Sequence, residues 1–194
     1  MKYAIAAIAA FAMGGPAVAG HHETAAEAET AELGPAIGST APAVAATDAT
    51  GTARDFADLK GENGLVLVFV RSADWCPFCK KQLADLSSVQ ADLEDRGYGL
   101  AALSYDTPEK LAAFADKSSI DYTLLSDPGS EVIRAFGVLN EDMEPGSRVY
   151  GIPHPIIVIL GAEGVVEAKL YEDDYRTRPP SGVVVSTIDG LTAS

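Results

Sequence analysis

The two cysteines of the chain, Cys76 and Cys79, lie three positions apart in the segment VRSADWCPFCKKQL (70–83). The only tryptophan, Trp75, directly precedes the first cysteine, and Pro77 directly follows it. A C-x-x-C pair can hold a metal ion, form a structural disulfide or carry thiol redox chemistry. Each of these roles makes a different demand on the rest of the chain.

A metal site requires the largest number of additional residues. Structural zinc needs about four ligands, usually two cysteine pairs or one pair with spaced histidines. The chain has one pair and three histidines, of which His21 and His22 lie near the N-terminus and His154 stands alone. The residues therefore predict neither a metal site nor a cofactor. A copper-binding or metallochaperone module that uses both thiols and His154 stays open as an alternative function.

A redox role fits the pair better than a structural staple. A disulfide across two residues closes a very small loop, and small loops add least to stability in the chain-entropy account. Pro77 suits the first turn of a helix, which would place Cys76 at the helix N-terminus, where free N–H groups and the helix dipole favour an anion. We expect Cys76 to react as a thiolate of lowered pKa and Cys79, one turn on, to resolve the product.

Length and composition indicate one globular domain. The chain has 194 residues, of which 47% are hydrophobic and 22% are charged, as is ordinary for a soluble protein. Acidic residues outnumber basic ones 28 to 14, so the formal net charge is -14. Such a surface repels nucleic acid, and we expect no nucleic-acid partner.

The N-terminal residues predict export. Residues 1–19 combine a positive start, a short apolar run and an A-x-A ending at Ala19, which is the pattern of a cleaved signal peptide. The run is short for a membrane span, so we expect no stable insertion after cleavage. Residues 20–32 are rich in Ala and Glu and predict a disordered leader, which leaves 33–194 as the folded domain. An exported protein, most simply a periplasmic one, meets oxidising surroundings.

Strand and helix patterns alternate through the folded domain. The apolar run at 65–70 predicts a strand buried on both faces, and one helix is predicted over 76–96. The other predicted elements are strands at 100–105, 122–127, 156–160 and 165–170, a helix after Thr107 and a short helix over 127–137. The last two strands predict an antiparallel hairpin, and the C-terminus is ambiguous. This order predicts an α/β sandwich with a mixed sheet and the cysteines at the carboxyl end of a central strand.

The segment VLVFVRSADWCPFCKKQL resembles the active-site segment of the alkyl hydroperoxide reductase/thiol-specific antioxidant family, in its peroxiredoxin-like branch with a W-C-P-x-C motif. The resemblance runs from about Ile37 to Arg178 and includes a lead-in hairpin, a middle segment and a late hairpin. It implies a thioredoxin-like three-layer sandwich. It also implies a thiol-disulfide oxidoreductase or peroxiredoxin-like antioxidant enzyme, acting on a protein disulfide or a hydroperoxide, with an unidentified thiol as electron donor.

The resemblance further implies supporting roles for His154 and Pro155. Thioredoxin-like folds place a cis-proline opposite the cysteine pair, just before a core strand, and Pro155 directly precedes the run at 156–160. We expect a cis bond there, with an ordinary trans proline as the alternative. His154 would then lie beside Cys76, either as a proton relay or as a spectator.

The chain departs from peroxiredoxins where the peroxide is polarised. They carry a threonine three residues before the peroxidatic cysteine and a proline seven before it, and this chain has Ala73 and Phe69 there. Their activating arginine falls near His154, with Arg71 and Arg148 as candidate substitutes. We therefore expect dithiol chemistry to be retained and hydrogen peroxide to be a slow substrate.

Overall fold

A computed structural model describes residues 32–193. The expected signal peptide, most of the expected leader and Ser194 lie outside this range. The strands are β1 Ala45–Asp48, β2 Ala53–Asp55, β3 Gly64–Phe69, β4 Tyr98–Ser104, β5 Thr123–Ser126, β6 Ile156–Gly161 and β7 Val166–Leu170. The helices are α1 Phe56–Leu59, α2 Pro77–Ser87, α3 Gln90–Asp95, α4 Pro108–Ser118, α5 Glu131–Ala135 and α6 Ser181–Thr192. Within the described residues, no helix has both the length and the apolar character needed to cross a membrane.

The strands form one mixed sheet with the order β2-β1-β5-β4-β3-β6-β7. Strand β3 is parallel to β4 and antiparallel to β6, and β6 and β7 form the predicted antiparallel hairpin. Strands β1 and β2 form the lead-in hairpin that the resemblance implied. The sheet is therefore mixed, with the strand that precedes the cysteines near its centre.

Hydrophobic core lies on both faces of this sheet. The central strand β3 is apolar throughout, so its side chains can be buried on either face. All six residues of β3 are buried, and alternate side chains enter two different hydrophobic clusters. Val66 and Val68 join the cluster covered by α2, α3, α4 and α6, whereas Leu67 and Phe69 join the cluster covered by α1 and α5. Burial of each such side chain stabilises the fold by about 1.5–3 kcal/mol. The three layers confirm the thioredoxin-like sandwich.

The register of β3 determines what surrounds the cysteines. Phe69, its last residue, pairs with Leu103 near the end of β4 and with Ile156 at the start of β6. The loop that leaves β3 therefore lies beside the residues that follow β4 and those that precede β6. This confirms the predicted position of the cysteines at the carboxyl end of a central strand.

The single helix predicted over 76–96 is wrong, since α2 ends at Ser87 and α3 begins at Gln90. The backbone N–H and the Oγ of Ser88 both donate to the carbonyl oxygen of Asp85, at 3.1 and 2.6 Å. A serine that bonds back to a carbonyl three residues earlier tightens the turn and competes with continuation of the helix.

The ambiguous C-terminal segment forms helix α6. Its three consecutive valines have modest helix propensity, but Val184 and Ile188 lie four residues apart and are fully buried against the sheet. Tertiary burial therefore outweighs local preference here.

Candidate active site

Cys76 and Cys79 form a disulfide at the N-terminus of α2, with their Cα atoms 5.3 Å apart, a separation that suits this bond. Cys76 is the N-cap residue, and its sulfur accepts a hydrogen bond from the backbone N–H of Cys79 at 3.2 Å. Pro77 is the first residue of the helix. The predicted position of Cys76 at a helix N-terminus is confirmed. Its sulfur occupies the point where the end of the helix favours negative charge.

The disulfide is buried but lies directly under the surface. Cys76 is 1% exposed and Cys79 is 0% exposed, whereas Phe78 between them is 38% exposed. Both cysteines belong to the hydrophobic cluster under α2. A reactant must therefore approach the sulfurs past the exposed ring of Phe78 and the side chains around it.

A buried carboxylate holds the loop that carries the cysteines. Asp106, two residues after β4, accepts hydrogen bonds from the backbone N–H of Ala73 at 2.7 Å and from Ser72 Oγ at 2.9 Å. Ser72 Oγ in turn accepts the backbone N–H of Trp75 at 3.2 Å. The hydroxyl nearest to Cys76 in sequence is thus engaged in positioning the loop. Sequence reasoning missed Asp106, although an acidic residue just after a buried strand is the signal that could have found it.

Trp75 connects the cysteine loop to the loop before β6. Its Nε1 donates to the hydroxyl of Tyr105 at 2.9 Å, and that hydroxyl donates to the carbonyl oxygen of Arg148 at 3.0 Å. The guanidinium carbon of Arg71 lies 5.3 Å from the centroid of a Trp75 ring. Trp75 therefore forms a side wall of the site, fixed at its polar end and stacked with a cation on its face.

A second aromatic residue, Tyr175, packs against Phe78, which lies between the two cysteines in sequence. The guanidinium carbon of Arg71 lies 4.2 Å from the centroid of its ring, and Phe78 packs against it edge-on with the ring centroids 6.2 Å apart. The neighbouring guanidinium groups of Arg176 and then Arg71 hold the pKa of Tyr175 below its usual value. The segment around Tyr175 thus contacts Phe78 and Arg71 across the fold, and no local pattern in its sequence indicates these contacts.

Arg178 places a positive charge beside the second cysteine. Its Nη2 lies 3.7 Å from the sulfur of Cys79, and its Nε donates to Gln82 Oε1 at 2.9 Å. Burial, followed by the charge of Arg71, lowers the pKa of Arg178 to about 10. The guanidinium is therefore still cationic at neutral pH. Sequence reasoning did not identify Arg178, because no local pattern marks a residue that reaches a helix 99 positions away.

The cis peptide bond expected before Pro155 is wrong, because all peptide bonds within the described residues are trans. Pro153 forms an antiparallel bridge with Leu139, and the N–H of His154 donates to the carbonyl oxygen of Val138 at 2.7 Å. The chain thus enters β6 as a paired, extended segment. A trans bond satisfies this geometry, because a paired, extended segment does not call for the cis form.

The expected position of His154 beside Cys76 has no support among the contacts of the described residues. It lines an open depression with Arg134, Glu141 and Asp142, and within residues 32–193 no hydrogen bond joins it to either cysteine. Burial lowers the pKa of His154, and the charge of Asp142 partly opposes this effect. Among the same residues, no group of three or more His, Cys, Asp or Glu side chains could hold a metal ion. The donor set that the copper alternative needs, two thiols and His154, is not gathered in this oxidised form.

Comparison with known proteins places the chain in a family. The sequence model of the AhpC/TSA family matches residues 37–169. The chain is 32% identical to the peroxiredoxin Bcp of Escherichia coli over 149 residues, which span 77% of this chain and 92% of that one. It is 35% identical to a putative peroxiredoxin of Mycobacterium tuberculosis over 122 residues, which span 63% and 76% of the two chains.

Solved structures share the fold. The AhpC of Enterococcus faecalis superposes with a TM-score of 0.70 at 20% identity, over 81% of this chain and 92% of that one. The peroxidoxin BcpB of Mycobacterium tuberculosis gives a TM-score of 0.68 at 22% identity, over 83% and 97%. At such identities the likeness supports the fold alone, and the family rests on the sequence matches. The sequence matches and the cysteine pair at the N-terminus of α2 together show that this chain belongs to the AhpC/TSA family of peroxiredoxin-like, thioredoxin-fold proteins and is a thiol-dependent oxidoreductase.

Proposed function

We propose that this protein is an exported two-cysteine enzyme in which Cys76 attacks the substrate and Cys79 resolves the product. The observation that carries this proposal is the disulfide between the N-cap residue of α2 and the residue one turn on, whose N–H already faces the first sulfur at 3.2 Å. Before the disulfide forms, the same N–H and the helix N-terminus favour a thiolate at Cys76.

With a hydroperoxide, the reaction runs in two steps. The thiolate of Cys76 attacks the terminal oxygen, the O–O bond breaks, and the alkoxide leaves as an alcohol after it takes up a proton. Cys76 is then a sulfenic acid. The thiolate of Cys79 attacks its sulfur, which forms the disulfide and releases water once a proton is added. A thiol donor returns the two electrons to the enzyme. The peroxiredoxin names of the sequence relatives support a hydroperoxide as substrate.

A small or protein disulfide is the second candidate substrate, and one local observation favours it. Ala73 stands where peroxiredoxins carry a hydroxyl, and the adjacent hydroxyl of Ser72 is taken up by Asp106. The O–O bond therefore lacks one donor that would polarise it, whereas thiol-disulfide exchange needs only an attacking thiolate and a good leaving group.

Parallel turnover measurements test the proposal. We expect the reduced protein to react with hydrogen peroxide far more slowly than about 10⁷ M⁻¹s⁻¹, high in the usual range for enzymes, and more readily with a neutral disulfide such as hydroxyethyl disulfide. Cys76→Ser should abolish both reactions, since Cys76 is the proposed nucleophile. Cys79→Ser should still consume one peroxide and leave a sulfenic acid that dimedone traps. Turnover in Cys76→Ser would contradict the assignment of Cys76 as the nucleophile. A rate constant for hydrogen peroxide of about 10⁷ M⁻¹s⁻¹ would make peroxide the preferred substrate.

Export is part of the proposal and rests on residues 1–19. Expression of the full chain in a Gram-negative host should yield a periplasmic protein whose first residue, by mass spectrometry, is Gly20. A cytosolic protein that keeps Met1 would contradict it.

A further inference from the structure

Three arginines surround Tyr175 and Cys79. The guanidinium carbons of Arg71 and Arg176 lie 4.2 and 5.2 Å from the ring centroid of Tyr175, which itself packs against Phe78. Arg178 approaches the sulfur of Cys79, and the charge of Arg71 contributes to its lowered pKa. Like charges therefore lie close together next to the disulfide, and we call Arg71, Arg176 and Arg178 the arginine cluster.

No carboxylate within residues 32–193 forms an ion pair with the arginine cluster, and Arg71 Nε is buried there without a hydrogen-bond partner. The nearby Asp174 favours the charged form of Arg178, but its Oδ1 accepts the backbone N–H of Arg176. Four other cations among the described residues have carboxylate partners: Arg54, Arg96, Lys110 and Lys169. The chain has a net charge of -14, and a positive cluster without an ion-paired carboxylate among the described residues is a suitable site for an anion from outside.

Arg71 is also held ready to bind such an anion. Its guanidinium lies between the rings of Trp75 and Tyr175, 5.3 and 4.2 Å from their centroids. Stacking of this kind limits the rotamers of the side chain, so binding costs little additional entropy. The planar group of an arginine matches a carboxylate with two parallel N–H···O bonds.

We propose that the arginine cluster is a carboxylate subsite for the small thiol that reduces the Cys76–Cys79 disulfide. The inference rests on the proposed function and adds the chemical class of the electron donor. With its carboxylate on the cluster, the thiolate of the donor attacks the sulfur of Cys76. The disulfide breaks, and Cys79 leaves as a thiolate beside Arg178. A second donor thiolate attacks the donor sulfur of the mixed disulfide and releases Cys76, so two thiols become one donor disulfide and the enzyme gains two electrons.

A donor rather than an oxidant is inferred because the disulfide form reacts with thiols, and in this form Arg178 lies beside the sulfur of Cys79. The position of Arg178 agrees with this direction, since a cation beside Cys79 stabilises the thiolate that leaves.

Three thiols of similar size and different charge test the proposal on the oxidised full-length protein. They are 3-mercaptopropionate, 2-mercaptoethanol and cysteamine, whose substituents are anionic, neutral and cationic. Trp75 is the only tryptophan and precedes Cys76, so its fluorescence reports opening of the disulfide. With rate constants expressed per thiolate, we expect 3-mercaptopropionate to exceed 2-mercaptoethanol by about tenfold and cysteamine to be slowest. The ratio should shrink as salt is added.

Variants locate the effect. Arg71→Gln should bring the ratio of anionic to neutral rate constants towards one, and Arg71→Lys should keep part of it because the charge remains. Lys117→Gln is the charge-matched control. Lys117 is an exposed residue of α4, the helix that precedes β5. In the sheet, β5 and β7 lie on opposite sides of β3. Lys117→Gln should leave the ratio unchanged. Equal rate constants for the three thiols, or an unchanged ratio in Arg71→Gln, would overturn the subsite. Failure of the neutral thiol to open the disulfide would overturn the proposed function with it.

Discussion

The guanidinium of Arg178 lies beside the sulfur of Cys79, with Nη2 and Sγ 3.7 Å apart, although 99 positions separate the two residues. Gln82, which faces the same side of α2 as Cys79, anchors the arginine through its Oε1. A positive charge at this distance favours the thiolate over the thiol whenever the disulfide is open. The segment between β7 and α6 is thereby part of the redox centre.

The first prediction follows from this contact. Arg178→Gln should slow reduction of the disulfide by dithiothreitol at pH 7 by about three- to tenfold, because the leaving thiolate of Cys79 loses its cation. The measurement is the change in Trp75 fluorescence after mixing. Arg178→Lys should retain part of the rate, and the pH profile of alkylation of Cys79 should move to higher pH in Arg178→Gln.

Arg96→Gln is the matched control for this experiment, since it also removes a hydrogen-bonded arginine, here one paired with the exposed Asp189. Its reduction rate should equal that of the wild type. If Arg178→Gln and Arg96→Gln behave alike, Arg178 has no influence on the sulfur.

The second prediction concerns which thiol reacts first. Cys76 caps α2 and receives the N–H of Cys79, whereas Cys79 lies within the helix and is 0% exposed. A limiting amount of iodoacetamide added to the reduced protein near neutral pH should therefore label Cys76 before Cys79. Peptide mapping by mass spectrometry identifies the labelled residue. Earlier labelling of Cys79 would exchange the roles of the two cysteines.

The third prediction concerns the buried carboxylate of Asp106. It accepts hydrogen bonds from the N–H of Ala73 and from the hydroxyls of Ser72 and Ser104. Asp106→Asn keeps the shape but replaces one acceptor oxygen by an NH₂ donor, so at least one of these bonds is lost. The free energy of unfolding should fall by about 2–3 kcal/mol in urea titrations. Asp121→Asn, at an exposed position, should change it by less than about 0.5 kcal/mol. A small effect for Asp106→Asn would mean that the loop is held by other contacts.

The fourth prediction uses the lowered pKa of His154, whose main cause is burial. Its ordinary value is 6.5, so as the pH falls through that value the unfolded chain binds a proton before the folded chain does. His154 therefore lowers the free energy of unfolding as the pH falls below about its ordinary pKa of 6.5. Well above that pH the ring is neutral in both states, and His154 has no such effect. In His154→Asn the urea midpoint should fall less between pH 7.5 and pH 5.5 than in the wild type. Equal slopes would show that the neutral ring is not favoured by folding.

Local signals allowed much of the redox centre to be predicted. Pro77 after Cys76 marks a helix start, and the apolar run before them marks a buried strand, so the order strand, loop, cysteine pair follows from neighbouring residues. The break between α2 and α3 escaped prediction because it depends on one serine that bonds back to Asp85. The trans bond before Pro155 was not predicted for a different reason. The bridge between Pro153 and Leu139, which are distant in sequence, sets the path of the chain there.

The sequence by itself determined the chemistry of this protein: two thiols at a C-x-x-C spacing, a helix start between them and a buried strand before them, all set by interactions within a few residues. Tertiary structure alone decided what surrounds these thiols. Asp106, Arg71 and Arg178 reach the centre because β4, β3 and β7 end near one another in the sheet, and strand order is set by packing over the whole core. Pairings across dozens of residues depend on the total burial of apolar surface, which no short stretch of sequence records.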